Sequence, residues 1–203
     1  MTRWFSPLQP PFFHLLNHPA WNFGSMGSIM GHELTHGFDN NGRHYDSTGR
    51  VKNWWGAKAR KAFLGRARCL IHFYKRYREG GRQIPALATL AENIADVGGV
   101  ALAYDAMQSF IADASSATRK HWPALPDGMS ASKAFFVSYA QTWCTQPPPP
   151  AQAAALMNYD EHAPPRMRVN GPLANNPAFH EAFQCPKGSK MNPLEQCNTD
   201  LLS

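Results

Sequence analysis

The chain has 203 residues, of which 43% are hydrophobic and 17% are charged, so it suits one globular domain and is not a disordered protein. Lys and Arg number 20 against 14 Asp and Glu. The longest basic cluster, Lys75 to Arg78, looks like the solvated face of a helix, so no nucleic-acid partner is expected. The sequence contains no run of 18 apolar residues and no apolar leader, so neither a transmembrane segment nor a signal peptide is expected in this chain.

The predicted elements are mostly helices separated by turns rich in proline and glycine. The first 23 residues, rich in proline and aromatic side chains, predict irregular structure. Helices are predicted over 24–37, 57–78, 89–114 and 132–142, followed by a polyproline connector at 147–150 and short helical turns. Small residues in the first helix lower its propensity, so it needs tight packing in a buried position. Gly80 and Gly81 are expected to end the second helix, and Thr89 and Glu92 to form a capping box on the third.

The strongest motif is the sequence His32-Glu33-Leu34-Thr35-His36 on the first predicted helix. Residues four apart on an α-helix differ by about 40° in direction, so both His side chains lie on one face and can bind one Zn²⁺. Glu33 can then take a proton from a water beside the metal. A chance match among nine His residues is the alternative, which the helical context disfavours.

A catalytic zinc needs a third protein ligand, and two carboxylates offer one. Glu92 and Asp96 are four residues apart, so Glu92 can bind the metal while Asp96 accepts a hydrogen bond from a zinc-binding His. The alternatives are that Glu92 only caps its helix and that Asp96 is a solvated surface charge. Asp39, three residues after His36, is either another such partner or a turn residue.

A proline-restrained loop contributes His162 and Arg168. Peptide hydrolysis passes through a tetrahedral oxyanion, which a donor beside the metal stabilises. Arg168 can hold a carbonyl or carboxylate of the substrate. On the residues alone, the alternative of a solvated His and a surface Arg is favoured.

The four cysteines are widely spaced, and no Cys-x-x-Cys pair is present, which excludes a four-cysteine zinc finger. They are Cys69, Cys144, Cys185 and Cys197. Two disulfides and four buried thiols both remain compatible with this spacing.

Taken in order, these motifs resemble the C-terminal catalytic segment of the neprilysin and endothelin-converting enzyme family of zinc metallopeptidases. The resemblance rests on residues 8–13, 31–39, 54–55, 90–99, 140–144, 160–164 and 191–193. It implies a mainly α-helical α+β fold of the thermolysin-like zincin type, with one catalytic domain over 1–203 that lacks the family's large N-terminal helical domain. It also implies a metalloendopeptidase that cuts peptides on the amino side of hydrophobic residues.

The resemblance also assigns roles to individual residues. It makes His32, His36 and Glu92 the ligands of one Zn²⁺ per chain and Glu33 the general base. Asp96 would orient a zinc-binding His, His162 would stabilise the oxyanion, and Arg168 would hold the substrate. The pocket for the residue after the scissile bond would be lined by Phe12, Ile29 and Trp143, with Ser28 and Thr142 at positions that are more often apolar.

The same resemblance implies a disulfide between Cys69 and Cys197 and an extracellular or exoplasmic location. Two features of the family are not found in the sequence: an Asn-Ala-x-Tyr edge strand before residues 10–13, and a Cys-x-x-Trp ending. A missing N-terminal domain or a second chain would therefore be a partner, beside peptide substrates. The rival hypothesis is a truncated zinc-binding remnant with weak or no turnover that acts as a binding module.

Overall fold

The computed structural model describes residues 8–197, and its helices pack around a long central helix, α4 (Leu90–Asp113). Before α4 come α1 (Pro19–Asn22), a π-helical turn (Phe23–Gly27), α2 (Ser28–Thr35) and α3 (Ala57–Tyr74). After it come α5 (Ser116–Arg119), α6 (Ala131–Thr142), α7 (Pro150–Leu156), α8 (Pro165–Leu173) and α9 (Pro177–Ala182). Strands β1 (Arg78–Glu79) and β2 (Arg82–Gln83) form an antiparallel hairpin.

This architecture confirms the expected fold class, which is mainly helical with little β structure. The expectations about the edge strand and the C-terminal ending fall partly on residues 1–7 and 198–203, which lie outside the described residues. Among the residues that are described, no helix combines the length and apolar character that crossing a bilayer requires.

Helical structure begins earlier than the sequence predicts. Pro19 occupies the first position of α1, where a missing N–H breaks no helical hydrogen bond and a fixed φ favours the helix. The prediction of irregular structure up to residue 23 is therefore wrong for residues 19–23. The π-helical turn leads directly into α2, and a 3-10 turn (His36–Phe38) follows, so the zinc motif lies within a longer helical segment.

Two local signals at the ends of helices have other roles than predicted. Gly80 and Gly81, with φ of 54° and 79°, form the hairpin turn, and α3 already ends at Tyr74. The predicted capping box is wrong, because the Thr89 side chain caps no N–H at the start of α4. Its hydroxyl accepts a hydrogen bond from Asn93 Nδ2 at 2.8 Å instead, and Glu92 is left for another role.

Two hydrophobic clusters cover α4, one along its N-terminal half and one along its C-terminal half. One cluster joins α3, α4 and α8 through Phe63, Leu70, Tyr74, Ile94, Val97 and Met167. The other joins α1, α4 and α6 through Ala20, Val100, Met107, Phe135 and Phe136. Because apolar burial stabilises roughly in proportion to area, this packing fixes α4 as the element against which the other site helices are positioned.

A disulfide joins Cys69 of α3 to Cys197, with Cα atoms 5.7 Å apart, as the family resemblance implies. Replacing both cysteines with Ala is expected to lower the free energy of unfolding by about 2–5 kcal/mol, because the bond restricts the unfolded chain. Urea unfolding of the oxidised protein and of this double variant measures the loss. Cys144→Ala serves as the control, since Cys144 is a free thiol. Peptide mapping that finds Cys69 linked to Cys144 would contradict the pairing.

Candidate active site

Helices α2 and α4 cross at very close range because glycines face each other at the crossing. A Cβ added to Gly31 would lie 2.5 Å from the carbonyl oxygen of Gly99, and one added to Gly99 would lie 2.5 Å from the backbone nitrogen of His32. A Cβ on the adjacent Gly98 would lie 2.6 Å from Cγ2 of Thr35. The tight packing that the small residues of this helix predict is therefore present, and it brings the polar residues of α2 and α4 together.

Three side-chain atoms converge at this crossing, from α2, from the 3-10 turn His36–Phe38 that follows it, and from α4. The Nε2 atom of His32 lies 3.0 Å from His36 Nε2 and 3.2 Å from Glu92 Oε2. The remaining separation, His36 Nε2 to Glu92 Oε2, is 3.6 Å. Tetrahedral ligands about 2.0–2.1 Å from a zinc ion are about 3.3 Å from one another. The spacing of the three atoms is thus compatible with their binding one zinc ion together.

Each His of this cluster is oriented by a carboxylate on its other ring nitrogen. Nδ1 of His32 lies 2.9 Å from Asp96 Oδ1, and Nδ1 of His36 lies 2.7 Å from Asp39 Oδ2. A carboxylate accepts the proton of Nδ1, which leaves the lone pair on Nε2 for a metal. Asp39 also accepts the backbone N–H of Gly42 at 2.7 Å, so it is both a turn residue and a His partner.

The electrostatics of the cluster favour a bound cation. Oε2 of Glu92 is buried and has no well-aligned hydrogen-bond donor, although three imidazole Nε2 atoms lie 3.0–3.6 Å from it. Burial raises the pKa of Glu92, but the neighbouring His32, His162 and His36 lower it below its usual value. For His32, burial lowers the pKa. The carboxylates of Asp96 and Glu92 outweigh burial and raise that pKa to about 9. A positive charge between these atoms, as a proton or a metal ion, is therefore stabilised.

His162 lies against the same cluster from the loop before α8. Its Nε2 is 3.0 Å from Glu92 Oε2, and its side chain is 43% exposed, so it faces the open side of the site. Asp160 holds the ring by accepting from His162 Nδ1 at 2.8 Å and from its backbone N–H at 2.9 Å. This role of Asp160 was not predicted from the sequence, in which the Asp-x-His spacing was the available signal.

Arg168 is buried and paired rather than solvated. It is 8% exposed, and Asp96 is 3% exposed. Its Nε and Nη2 donate to Oδ2 and Oδ1 of Asp96 at 2.8 and 2.7 Å, and its guanidinium lies 3.8 Å from the ring centroid of Trp143. Burial lowers the pKa of Arg168, but the Asp96 carboxylate raises it above its usual value. The alternatives of a surface Arg and a solvated Asp are both wrong.

A cavity of about 280 Å³ opens beside the cluster. Its apolar wall contains Phe12, Ile29 and Trp143, the residues that the family resemblance assigns to a substrate pocket. Ser28 and Thr142 also line it, so hydroxyl-bearing side chains interrupt the apolar wall. The cavity can take one side chain of a bound peptide.

Glu33 lies on the exposed side of α2, next to His32 in sequence, and also lines this cavity. It is not part of the group of converging ligand atoms. His162 and Arg168 line the same cavity. The cavity and the ligand cluster together therefore contain the residues predicted to bind zinc, to transfer a proton or to contact the substrate.

Gly99→Ala is expected to lower the free energy of unfolding by about 1–3 kcal/mol and to weaken zinc binding, because the new methyl group would collide with the backbone of His32. Urea unfolding and a zinc titration measure the two effects. The matched control is Gly65→Ala on α3, where an added Cβ meets nothing within 4 Å and Ala is the better helix former. Unchanged zinc affinity in Gly99→Ala would contradict the importance of the crossing.

The comparisons with known proteins are consistent with one another. The sequence model of Peptidase family M13 matches residues 4–199. Neprilysin-3 of Drosophila melanogaster is 42% identical over 190 residues, which are 94% of this chain and 24% of that protein. Endothelin-converting enzyme 1 of Mus musculus is 39% identical over 190 residues, with the same two shares. Among solved structures, the inhibitor complex of Mycobacterium tuberculosis zinc metalloprotease Zmp1 superposes with a TM-score of 0.84 at 32% identity, over 94% of this chain and 29% of that chain.

Proposed function

Because this chain belongs to peptidase family M13, we propose that it is a zinc metalloendopeptidase catalytic segment that hydrolyses peptides on the amino side of hydrophobic residues. The convergence of His32, His36 and Glu92 within 4.8 Å of one another carries the proposal. The chain spans about a quarter of the length of the curated relatives that it matches, so its activity and substrates are proposed here on the chemistry of its own residues.

The metal would be held by the two imidazoles and the carboxylate of this cluster. One Zn²⁺ bound there supplies Lewis acidity, which polarises the scissile carbonyl and lowers the pKa of a nearby water. Asp96 and Asp39 keep the imidazoles of His32 and His36 in the metal-binding tautomer. These two carboxylates thus act on the affinity of the site and take no part in proton transfer.

Proton transfer is assigned to Glu33. Its carboxylate takes a proton from the water as that water attacks the carbonyl carbon, and it delivers the proton to the amine as the C–N bond breaks. His162 donates from Nε2 to the developing oxyanion while Asp160 keeps its hold on Nδ1. Because the oxyanion is absent from the ground state, this donor lowers the barrier specifically.

The cleavage preference follows from the cavity beside Glu33. Its wall of Phe12, Ile29 and Trp143 suits an apolar side chain, and its volume of about 280 Å³ limits that side chain to one residue. Arg168, fixed by two bonds to Asp96, has Nη1 to donate to a substrate carbonyl. These contacts support a preference for an apolar residue after the scissile bond.

An extracellular or exoplasmic location is part of the proposal. The bond between Cys69 and Cys197 supports it, since structural disulfides persist mainly in oxidising compartments.

Zinc analysis and a peptide-cleavage assay on the oxidised chain test the function together. We expect one zinc per chain, cleavage before Leu or Phe, and more than tenfold slower cleavage of a matched peptide with Asp at that position. A chelator should abolish cleavage, and added zinc should restore it. Zinc bound in full with no turnover of any peptide would instead establish the rival function, a binding module without catalysis.

A further inference from the structure

The positive charge of the chain is concentrated in one segment. Residues 47–78 contain ten of the 20 Lys and Arg residues and no Asp or Glu. Since the whole chain has a formal charge of +6, this segment carries +10 and the rest of the chain carries −4. The modest net charge therefore hides a strongly basic region, most of which is helix α3.

The structure arranges part of this charge in a line. The residues of the basic stripe are Lys58, Lys61, Arg68, His72 and Lys75, all exposed. Their spacing of three, seven, four and three residues keeps them within an arc of about 100° on an α-helix, and Lys58 and Lys75 are about 26 Å apart along the axis. The buried face of α3, with Phe63, Leu70 and Tyr74, points in the opposite direction. The stripe thus runs along the outermost face of the helix.

The cations of the stripe are not neutralised within the described part of the chain. The side chains of Lys58, Lys61 and Lys75 have no carboxylate partner there, and Arg68 bonds only to the Leu64 carbonyl of its own helix at 3.2 Å. Arg76, in contrast, pairs with Glu195 and is left out of the stripe. The stripe is therefore available to an external anion.

The beginning of α3 adds to this positive potential. Its first turn has no acidic residue, and Gly56 at the N-cap provides no side-chain cap. Unsatisfied N–H groups and the helix dipole make this end positive, and Lys58 and Lys61 lie beside it. Acidic residues are the usual choice there, so a bound anion would relieve an unfavourable arrangement.

We propose that the basic stripe of α3 binds a linear sulfated polysaccharide. A convex row of cations about 26 Å long matches a flexible, regularly charged chain. The position between Lys61 and Arg68 on this face is Gly65, and Leu64, 42% exposed, is the large apolar side chain that borders the stripe. This is less apolar surface than membrane-surface helices insert into a bilayer. The disulfide on the same helix indicates an oxidising compartment, away from nucleic acids and the anionic cytoplasmic leaflet. This inference does not depend on peptidase activity.

Binding of a heparin decasaccharide to the full oxidised chain, measured by calorimetry at several salt concentrations, tests the proposal. The test variant replaces Lys58, Lys61, Arg68 and Lys75 with Gln, a residue of similar helix propensity. We expect affinity to fall by roughly 100-fold at low salt and the slope of log K against log salt to fall by about 4.

The control removes four exposed charges elsewhere, replacing Arg119, Lys120, Lys187 and Lys190 with Gln, and has the same net charge as the test variant. We expect its affinity to stay within twofold, and thermal unfolding of both variants to match that of the parent chain. Equal losses in the two variants would show attraction by net charge alone and overturn the proposal. It would also be overturned if duplex DNA or phosphatidylserine vesicles bound as tightly as heparin, or if unsulfated heparosan competed equally well.

Discussion

Replacing Glu33 with Gln is expected to lower kcat by about 10²–10⁴-fold, while zinc binding stays nearly unchanged. Glu33 lines the cavity beside the cluster but contributes no atom to the three converging ligands, and Gln keeps its size while removing the proton acceptor. Metal analysis of the purified variant, together with kcat for one peptide substrate, measures the two quantities separately.

Glu92→Gln is the matched comparison, because it makes the same chemical change on α4 that Glu33→Gln makes on α2. Oε2 of Glu92 lies 3.0–3.6 Å from three imidazole nitrogens, so its charge is expected to be essential for metal binding. We expect zinc affinity to fall by more than the roughly 10–100-fold that follows the loss of an outer hydrogen-bond partner. Equal zinc loss in the two variants would refute the separation of general base from ligand.

Asp96→Asn is expected to be the most destabilising single change near the site, lowering the free energy of unfolding by about 3–5 kcal/mol. Asp96 holds Arg168 by two hydrogen bonds of 2.7–2.8 Å, and both residues are buried. Neutralising one partner leaves the other charge buried and uncompensated. The same carboxylate orients His32, so zinc affinity should also fall by roughly 10–100-fold. Urea unfolding and zinc titration report these effects.

Asp39→Asn separates the two consequences. Asp39 orients His36 as Asp96 orients His32, but it pairs with no buried Arg in the described residues. The amide oxygen of Asn can still accept the backbone N–H of Gly42, so the turn is kept. We expect a similar loss of zinc affinity with a clearly smaller loss of stability. A stability loss as large as that of Asp96→Asn would mean that the buried ion pair is not the cause.

The zinc motif and the carboxylate pair could be predicted from the sequence because they depend on local spacing, whereas the family and the fold class are implied by the resemblance of several motifs in order. A His pair four residues apart on a helix specifies a shared face wherever that helix lies, and Glu92 with Asp96 repeats the same geometry. These predictions need no knowledge of tertiary structure. The family and fold class are confirmed, whereas the roles of the individual site residues stay predictions.

Properties that depend on distant contacts could not be predicted from the residues alone. Arg168 follows a proline-rich loop, where an Arg is ordinarily solvated, and only the packing of α8 against α4 buries it on Asp96. The glycine pair at 80–81 gives the same local signal for a helix end and for a hairpin turn, and the cross-strand pairing decides between them. Likewise, the separation of α2 and α4 depends on glycines that are far apart in sequence.

The disulfide also determines how the molecule responds to a break in its backbone. It closes a ring over a sequence separation of 128, and this ring contains α4, α6 and α8, whereas α2 lies outside it. A single cut in the exposed stretch at 144–147 opens the ring but releases no fragment, since both pieces remain joined at Cys69 and Cys197. A cut between α2 and α3 severs the only covalent link to two of the three proposed zinc ligands. A backbone cut between Cys69 and Cys197 thus leaves the two pieces covalently joined, whereas a cut before Cys69 separates them.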